Sequence, residues 1–252
     1  MAGDKLDRPI VTSLTPIRKA LSKGHTIIGG QTQYGKSTAA LTMFYWPIFD
    51  ERTNPLHLFI DTKHDDSIPK HGVLVRNMSE LRLQISMKTK RVVYRPPGDD
   101  ARVDELTKII DYLFRLKDDN PPKKGHRNRP IIIFIDEIQL YAGNQSKHSG
   151  LQRLATTGLG KKIIMVAIGQ RIQDINKQVY SQCNNTICFF MRERREYLRS
   201  QGIEELADVS DWLRENPYHF AYLFAGDDRL RIHAPLPLPG RNPVLNRILG
   251  ID

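Results

Sequence analysis

The segment Gly30, Gln31, Thr32, Gln33, Tyr34, Gly35, Lys36, Ser37, Thr38 fits the spacing G-x-x-x-x-G-K-[ST], and it lies between the apolar run HTIIG and the stretch STAALTMFYW. Glycines at 30 and 35 let the backbone curl so that successive N–H groups point inward, and a helix starting at its end adds the positive end of its dipole. Such a loop binds phosphate oxygens with its own main chain. Within it Lys36 is expected to reach the β- and γ-phosphates of ATP, Ser37 to ligate Mg²⁺ and Thr38 to donate to the α-phosphate.

A second constellation is IIIFIDE, an apolar run that ends in Asp136 and Glu137. Two acids at the end of a buried strand can divide two tasks: Asp136 holds the cation through its water shell, and Glu137 orients and deprotonates an attacking water. Together with the glycine-rich loop they describe an ATPase. A third run, KKIIMVAIG, ends in the polar pair Gln170 and Arg171.

These residues can meet only if the elements that carry them share one sheet edge. Apolar runs at His25–Gly29, Leu56–Asp61, Arg91–Arg95, Ile131–Asp136, Ile163–Ile168 and Thr186–Phe190 alternate with amphipathic stretches, which predicts an α/β fold. Runs such as IIIFI and IIMVAI are apolar without alternation, so both faces must be covered, as in a mostly parallel sheet flanked by helices. In Ala101–Leu116, Val103, Leu106, Ile110 and Leu113 recur at helical spacing and predict a helix with one face on that sheet. The charged stretch Lys117–Pro130 is read as an exposed loop, and HFAYLFAG and RLRIHAP around Gly226–Asp228 as a C-terminal β-hairpin. The resulting division is an N-terminal extension over 1–24, a P-loop ATPase domain over 25–234 and a proline-rich tail over 235–252.

Composition narrows the partners. The chain has 252 residues, 38 Lys and Arg against 28 Asp and Glu, and so a net charge of +10, which favours a polyanion through the long-range field. No run reaches the roughly 18 apolar residues of a membrane span, and the N-terminus lacks the apolar core of a secretory signal. The expectation is a protein that is not secreted. Cys183 and Cys188 are the only cysteines; their spacing suits neither a redox pair nor a zinc site, and both read as small apolar residues in or beside a strand.

With the loop at Gly30 to Thr38, the acids of IIIFIDE, and IGQR at the end of a later strand, the chain resembles the HerA-FtsK superfamily of DNA-pumping ATPases. HLFIDTK, with Asp61 and Lys63, looks like that family's strand ending in an aspartate with a lysine nearby, and RVVYRP resembles a strand of its viral branch. The resemblance runs from about His25 to Phe224. It implies a RecA-like core, a γ-phosphate sensor at Gln170, and a ring, usually a hexamer, in which an arginine of one subunit completes the neighbour's site. Arg153 in GLQRLATTG stands where that arginine is expected, with Arg171 as the competitor.

The resemblance implies double-stranded DNA as the partner, held by basic loops facing a central pore. Lys147 and His148 after the acidic strand, and Lys161 and Lys162 before the sensor strand, are the candidate contacts; Arg192, Arg194 and Arg195 read better as a solvated helix face. Larger branches carry membrane spans, a winged helix or an all-α insertion, and none of these is legible here. The chain is therefore most similar to the genome-packaging ATPases of internal-membrane icosahedral double-stranded DNA viruses. This implies a setting in the host cytoplasm or virion and contacts with capsid-vertex or viral membrane proteins. Alternatives are a plasmid or cellular DNA pump of the same superfamily, a nucleotide-dependent assembly factor without DNA, and a small-molecule kinase, which would have no use for Gln170.

Overall fold

The computed structural model describes residues 9–46, 53–98, 102–118, 129–142, 148–224 and 227–236. Its order is β1 (Ile10–Val11), α1 (Thr15–Leu21), β2 (His25–Gly29), α2 (Lys36–Tyr45), β3 (Leu56–Ile60), β4 (Val73–Val75), α3 (Met78–Ser86), β5 (Arg91–Tyr94) and α4 (Arg102–Asp118). Then follow β6 (Ile131–Ile135), α5 (Ser149–Thr157), β7 (Ile163–Gly169), α6 (Lys177–Tyr180), β8 (Cys183–Cys188), α7 (Arg195–Ser200), α8 (Glu205–Glu215), β9 (Phe220–Phe224) and β10 (Asp227–His233). All strands join one sheet in the order β1-β10-β9-β8-β2-β7-β6-β3-β5-β4. The run from β8 to β4 is parallel, while β9 is antiparallel to both its neighbours.

The unbroken apolar strands are buried on both faces, as their composition requires. Side chains alternate across a strand, so Ile131, Ile133 and Ile135 of β6 enter one core with Leu106, Ile110 and Leu113 of α4 and Leu151 and Leu154 of α5. Ile132 and Phe134 enter the opposite core with Ala40, Met43 and Phe44 of α2 and Ile17 and Leu21 of α1. A third cluster packs α7 and α8 on β8 to β10. The mostly parallel α/β sheet with a C-terminal β9–β10 hairpin is the predicted architecture; residues 225 and 226 of its turn, and the tail from 237, lie outside the described residues.

Three details depart from the sequence reading. Ile10 and Val11 pair with Ile232 and His233, and Ile17 and Leu21 are fully buried, so part of 1–24 builds into the same sheet and core. The stretch read as an exposed loop after α4 has buried ends: Lys117 still belongs to the helix and donates to the carbonyl of Arg129, and Arg129 donates through Nε to Asn54 O at 2.7 Å. Strand β8 starts at Cys183, earlier than expected, because its polar Asn185 is satisfied inside, accepting from the Tyr222 hydroxyl at 3.0 Å. Burial of such an amide is tolerated only when it is hydrogen-bonded.

Candidate active site

The glycine-rich loop leaves β2 at Gly29 and is tied to the chain after β8, where Gln31 N donates to Phe190 O at 2.7 Å and Phe189 N donates to Gly29 O at 2.9 Å. Gly30 has φ +153° and Gly35 φ +114°, conformations that a side chain disfavours. Space agrees with the dihedrals. A Cβ at Gly30 would lie 2.6 Å from Phe189 Cβ, and one at Gly35 2.9 Å from Phe189 Cε1. Gly35→Ala is therefore expected to lower stability by about 1–3 kcal/mol, read as a fall in Tm; an unchanged Tm would show that the loop can relax.

Gly35 is the N-terminal flank of α2, whose first residue is Lys36. Lys36 is buried, and its Nζ donates to Gln31 O at 2.8 Å, across the concavity of its own loop. Burial, and then the charge of Lys63, push its pKa down to about 8, against the pull of Glu137 and Asp136. Ser37, Thr32 and Gln33 are exposed and Thr38 half-buried, while the Tyr34 ring packs on Phe190 at 4.9 Å between centroids.

Strand order sets the rest of the site. β7 lies between β2 and β6, with Gly29 opposite Gly169 and Ala167 opposite Ile135. The glycine-rich loop and the acids are thus two strand spacings apart, on the order of ~10 Å, with the end of β7 between them. β3 flanks β6 on its other side with Ile60 opposite Ile135, so residues 61–63 reach the same edge as Asp136 and Glu137.

Glu137 is buried and sits at φ +50°, an uncommon left-handed conformation for a non-glycine residue. Its carboxylate forms an ion pair with Lys63, accepts from Gln139 Nε2, and lies 3.4 and 3.5 Å from Gln170 Nε2. Burial pushes the Asp136 carboxyl up to about 6, opposed by Lys63 and reinforced by Glu137 and Asp61. Burial pulls Lys63 down, yet its bond to Glu137 and the nearby carboxylates of Asp136, Glu137 and Asp65 hold it above the usual lysine range. Asp61 is occupied elsewhere, accepting from Arg95 Nε at 2.9 Å and Nη2 at 2.8 Å.

Lys36, Asp136, Glu137 and Gln170 thus lie together at one sheet edge. The sequence reading gave no task to Lys63 or Gln139, which hold Glu137. Their signal was weak: Lys63 follows the end of a different strand, and only the pairing of β3 with β6 brings the two together.

Other predicted residues lie apart. Arg153 on α5 stacks over the Phe114 ring at 4.1 Å, lies 3.4 Å from Asp111 and 3.8 Å from Asp118, and stays half exposed. Arg171 lies 3.4 Å from Glu193. Lys161 pairs with Asp118, and with Lys162 it precedes β7, at the strand end opposite the glycine-rich loop. His148 is corrected as a DNA contact: it is buried, and its Nδ1 accepts from Leu151 N at 3.0 Å as the N-cap of α5. Lys147 lies outside the described residues. Arg195 pairs with Asp208 and Arg199 with Glu204, as a solvated helix face should.

No protein-family model and no curated protein matches the chain. Solved structures do. The DNA-packaging ATPase B204 of Sulfolobus turreted icosahedral virus is similar with a TM-score of 0.66 and 18% identity, over 86% of this chain and 100% of that one. The genome-packaging NTPase B204 of Sulfolobus turreted icosahedral virus 2, in complex with AMP, gives 0.65 and 16% over 86% and 99%. EccC of Thermomonospora curvata (ATPases 2 and 3), in complex with a signal sequence peptide, gives 0.58 and 14% over 100% of this chain and 44% of that one. At such identities the likeness is one of fold, and that fold is the α/β P-loop architecture shared by a viral genome-packaging ATPase and the EccC-type ATPases.

Proposed function

We propose that the chain is an ATPase that moves double-stranded DNA, working as the genome-packaging motor of a virus. The observation that carries this reading is the convergence of Lys36, Asp136, Glu137 and Gln170 on one sheet edge, where β7 lies between β2 and β6. ATP would lie with its phosphates in the loop from Gly30 to Thr38, against main-chain N–H groups and the start of α2. Lys36, already directed into the loop toward Gln31 O, exchanges that carbonyl for phosphate oxygens. Glu137, held by Lys63 and Gln139, takes the proton of the attacking water, and Gln170 beside it senses whether a γ-phosphate is present.

The donors present suit Mg²⁺: an exposed Ser37 hydroxyl at the first turn of α2, and the Asp136 carboxyl in a pocket of acids whose mutual charge a cation relieves. Among the described residues no cage of three or more acidic, His or Cys ligands exists, which fits a cation held largely by phosphates and water. When bound it supplies charge neutralisation between phosphate groups.

DNA as the moved substrate is supported by the net charge of +10, by the sequence resemblance, and by a fold shared with packaging ATPases over nearly the whole of those chains. In this reading subunits form a ring, Arg153 or Arg171 reaches the neighbour's γ-phosphate, and Lys147, Lys161 and Lys162 contact the DNA backbone. The ring acts at the capsid vertex, in the host cytoplasm or virion. Among the described residues no helix is long and apolar enough to cross a membrane. Duplex DNA is expected to raise the ATPase rate several-fold at low salt, with the effect fading as salt screens phosphate contacts, and solution mass should rise to that of a ring with nucleotide. ATP hydrolysis indifferent to DNA would turn the assignment to a nucleotide-dependent assembly factor.

A further inference from the structure

Four aromatic side chains crowd the glycine-rich loop among the described residues, and three are committed to packing. Phe189 and Phe190 are buried, and Tyr34 lies against Phe190. The fourth, Tyr218, is half exposed, yet its Cδ1 lies 3.2 Å from where a Cβ of Gly35 would be. The topology explains its position. β9 runs antiparallel to β8 with Ala221 opposite Cys188, and Cys188 lies opposite Gly29 of β2, so the residues that lead into β9 stand at the loop's edge of the sheet.

The backbone of Tyr218 is at φ +71°. For a bulky residue that conformation is disfavoured and persists only where its surroundings over-determine it. Here they do. His219 packs on Trp212 with ring centroids 5.1 Å apart, and Phe220, fully buried, packs on Phe189 at 5.6 Å. The chain thus spends stability to hold an aromatic ring half in solvent, beside the loop that would cradle phosphates. Packing alone gives no reason for tyrosine rather than glycine at this position.

We propose that Tyr218 is the nucleobase platform of the site: its ring stacks on the purine of the bound nucleotide, outside the Gly35 end of the phosphate loop. This inference rests on the reading of Gly30 to Thr38 as a nucleotide loop and adds the part of the ligand that this loop does not touch. Stacking on an aromatic face is tolerant of base identity, so the platform takes ATP and GTP alike and contributes affinity for any purine nucleotide.

Binding of ATP, GTP and inorganic tripolyphosphate to the full chain, measured by titration calorimetry, tests the proposal. Tyr218→Gly is the informative variant, because glycine accepts the positive φ and should keep or raise Tm. It is expected to weaken ATP and GTP about tenfold or more while leaving tripolyphosphate unchanged, and Tyr218→Phe should bind like wild type. Unchanged ATP affinity in Tyr218→Gly would overturn the platform, as would an equal loss for tripolyphosphate, which would make the ring a prop for the loop. Loss in Tyr218→Phe would assign the effect to the hydroxyl and overturn stacking. Wild-type protein that binds neither ATP nor tripolyphosphate would instead overturn the nucleotide-loop reading itself.

Discussion

Glu137→Gln is expected to bind ATP within a few-fold of wild type and to turn it over about 10²–10⁴ times more slowly, the range a positioned general base contributes. The substitution is nearly isosteric. Its amide oxygen can still accept from Lys63 and Gln139, so the turn at φ +50° and the packing beneath it should persist. What disappears is a group able to take a proton from water. In the reading proposed above Asp136, one residue earlier in the chain, is committed to the cation's water shell and so is not placed as the base. Gln170 has no basic atom to offer. Single-turnover hydrolysis, with nucleotide binding and Tm measured on the same sample, separates these effects; turnover within tenfold of wild type would place the base elsewhere.

The parts of this site that were legible in the sequence are those written in consecutive residues. Gly30 to Thr38 declares its chemistry because backbone curvature, lysine and hydroxyl are fixed by local spacing, and IIIFIDE declares a buried strand and its acids in seven letters. Fold class followed from the same property, since strands covered on both faces lose their alternation. Other features depend on which strands become neighbours. Lys63 reaches Glu137 only because β3 pairs with β6, and Gln170 does so because β7 pairs with β6 on its other side. A resemblance supplied Gln170; nothing supplied Lys63 with a role.

Tertiary context also reversed local readings. His148 looked like a basic loop residue, but its ring caps α5 and is buried against the carbonyl of Val103. Lys117 and Arg129 looked like the ends of a solvated loop; their cationic tips instead satisfy buried carbonyls of distant turns, including Asn54 O. Long basic side chains with apolar stems can serve as interior hydrogen-bond donors, a use that composition does not reveal. The short β4 at the sheet edge offers only three residues to read, whereas α8, with Leu206, Val209 and Leu213 buried along one face, carries a helical apolar period that was there to be read.

Lys36→Met should move binding and stability in opposite directions. Losing one partner of a buried, hydrogen-bonded charge pair costs about 2–5 kcal/mol, so ATP affinity is expected to fall by about thirtyfold or more. Folding should gain. Lys36 is buried, and burial together with Lys63 brings its pKa from 10.5 down to about 8, so at neutral pH its charge is carried in the folded state at a cost of about 3 kcal/mol. The sign follows from proton counts: between about pH 8 and 10.5 the unfolded chain holds a proton that the folded chain has released, so wild-type stability from this group rises with pH. Below pH 8 both states are charged and the penalty is complete. Methionine has a similar length and no charge, so the variant's Tm at pH 7 is expected to exceed wild type by about 5 °C, and the difference should shrink toward pH 10. A Tm below wild type at pH 7 would mean that the bond from Lys36 Nζ to Gln31 O outweighs the cost of burying the charge. The expected result would identify Lys36 as a residue retained against the interest of the fold, which is the behaviour of a side chain kept for its ligand.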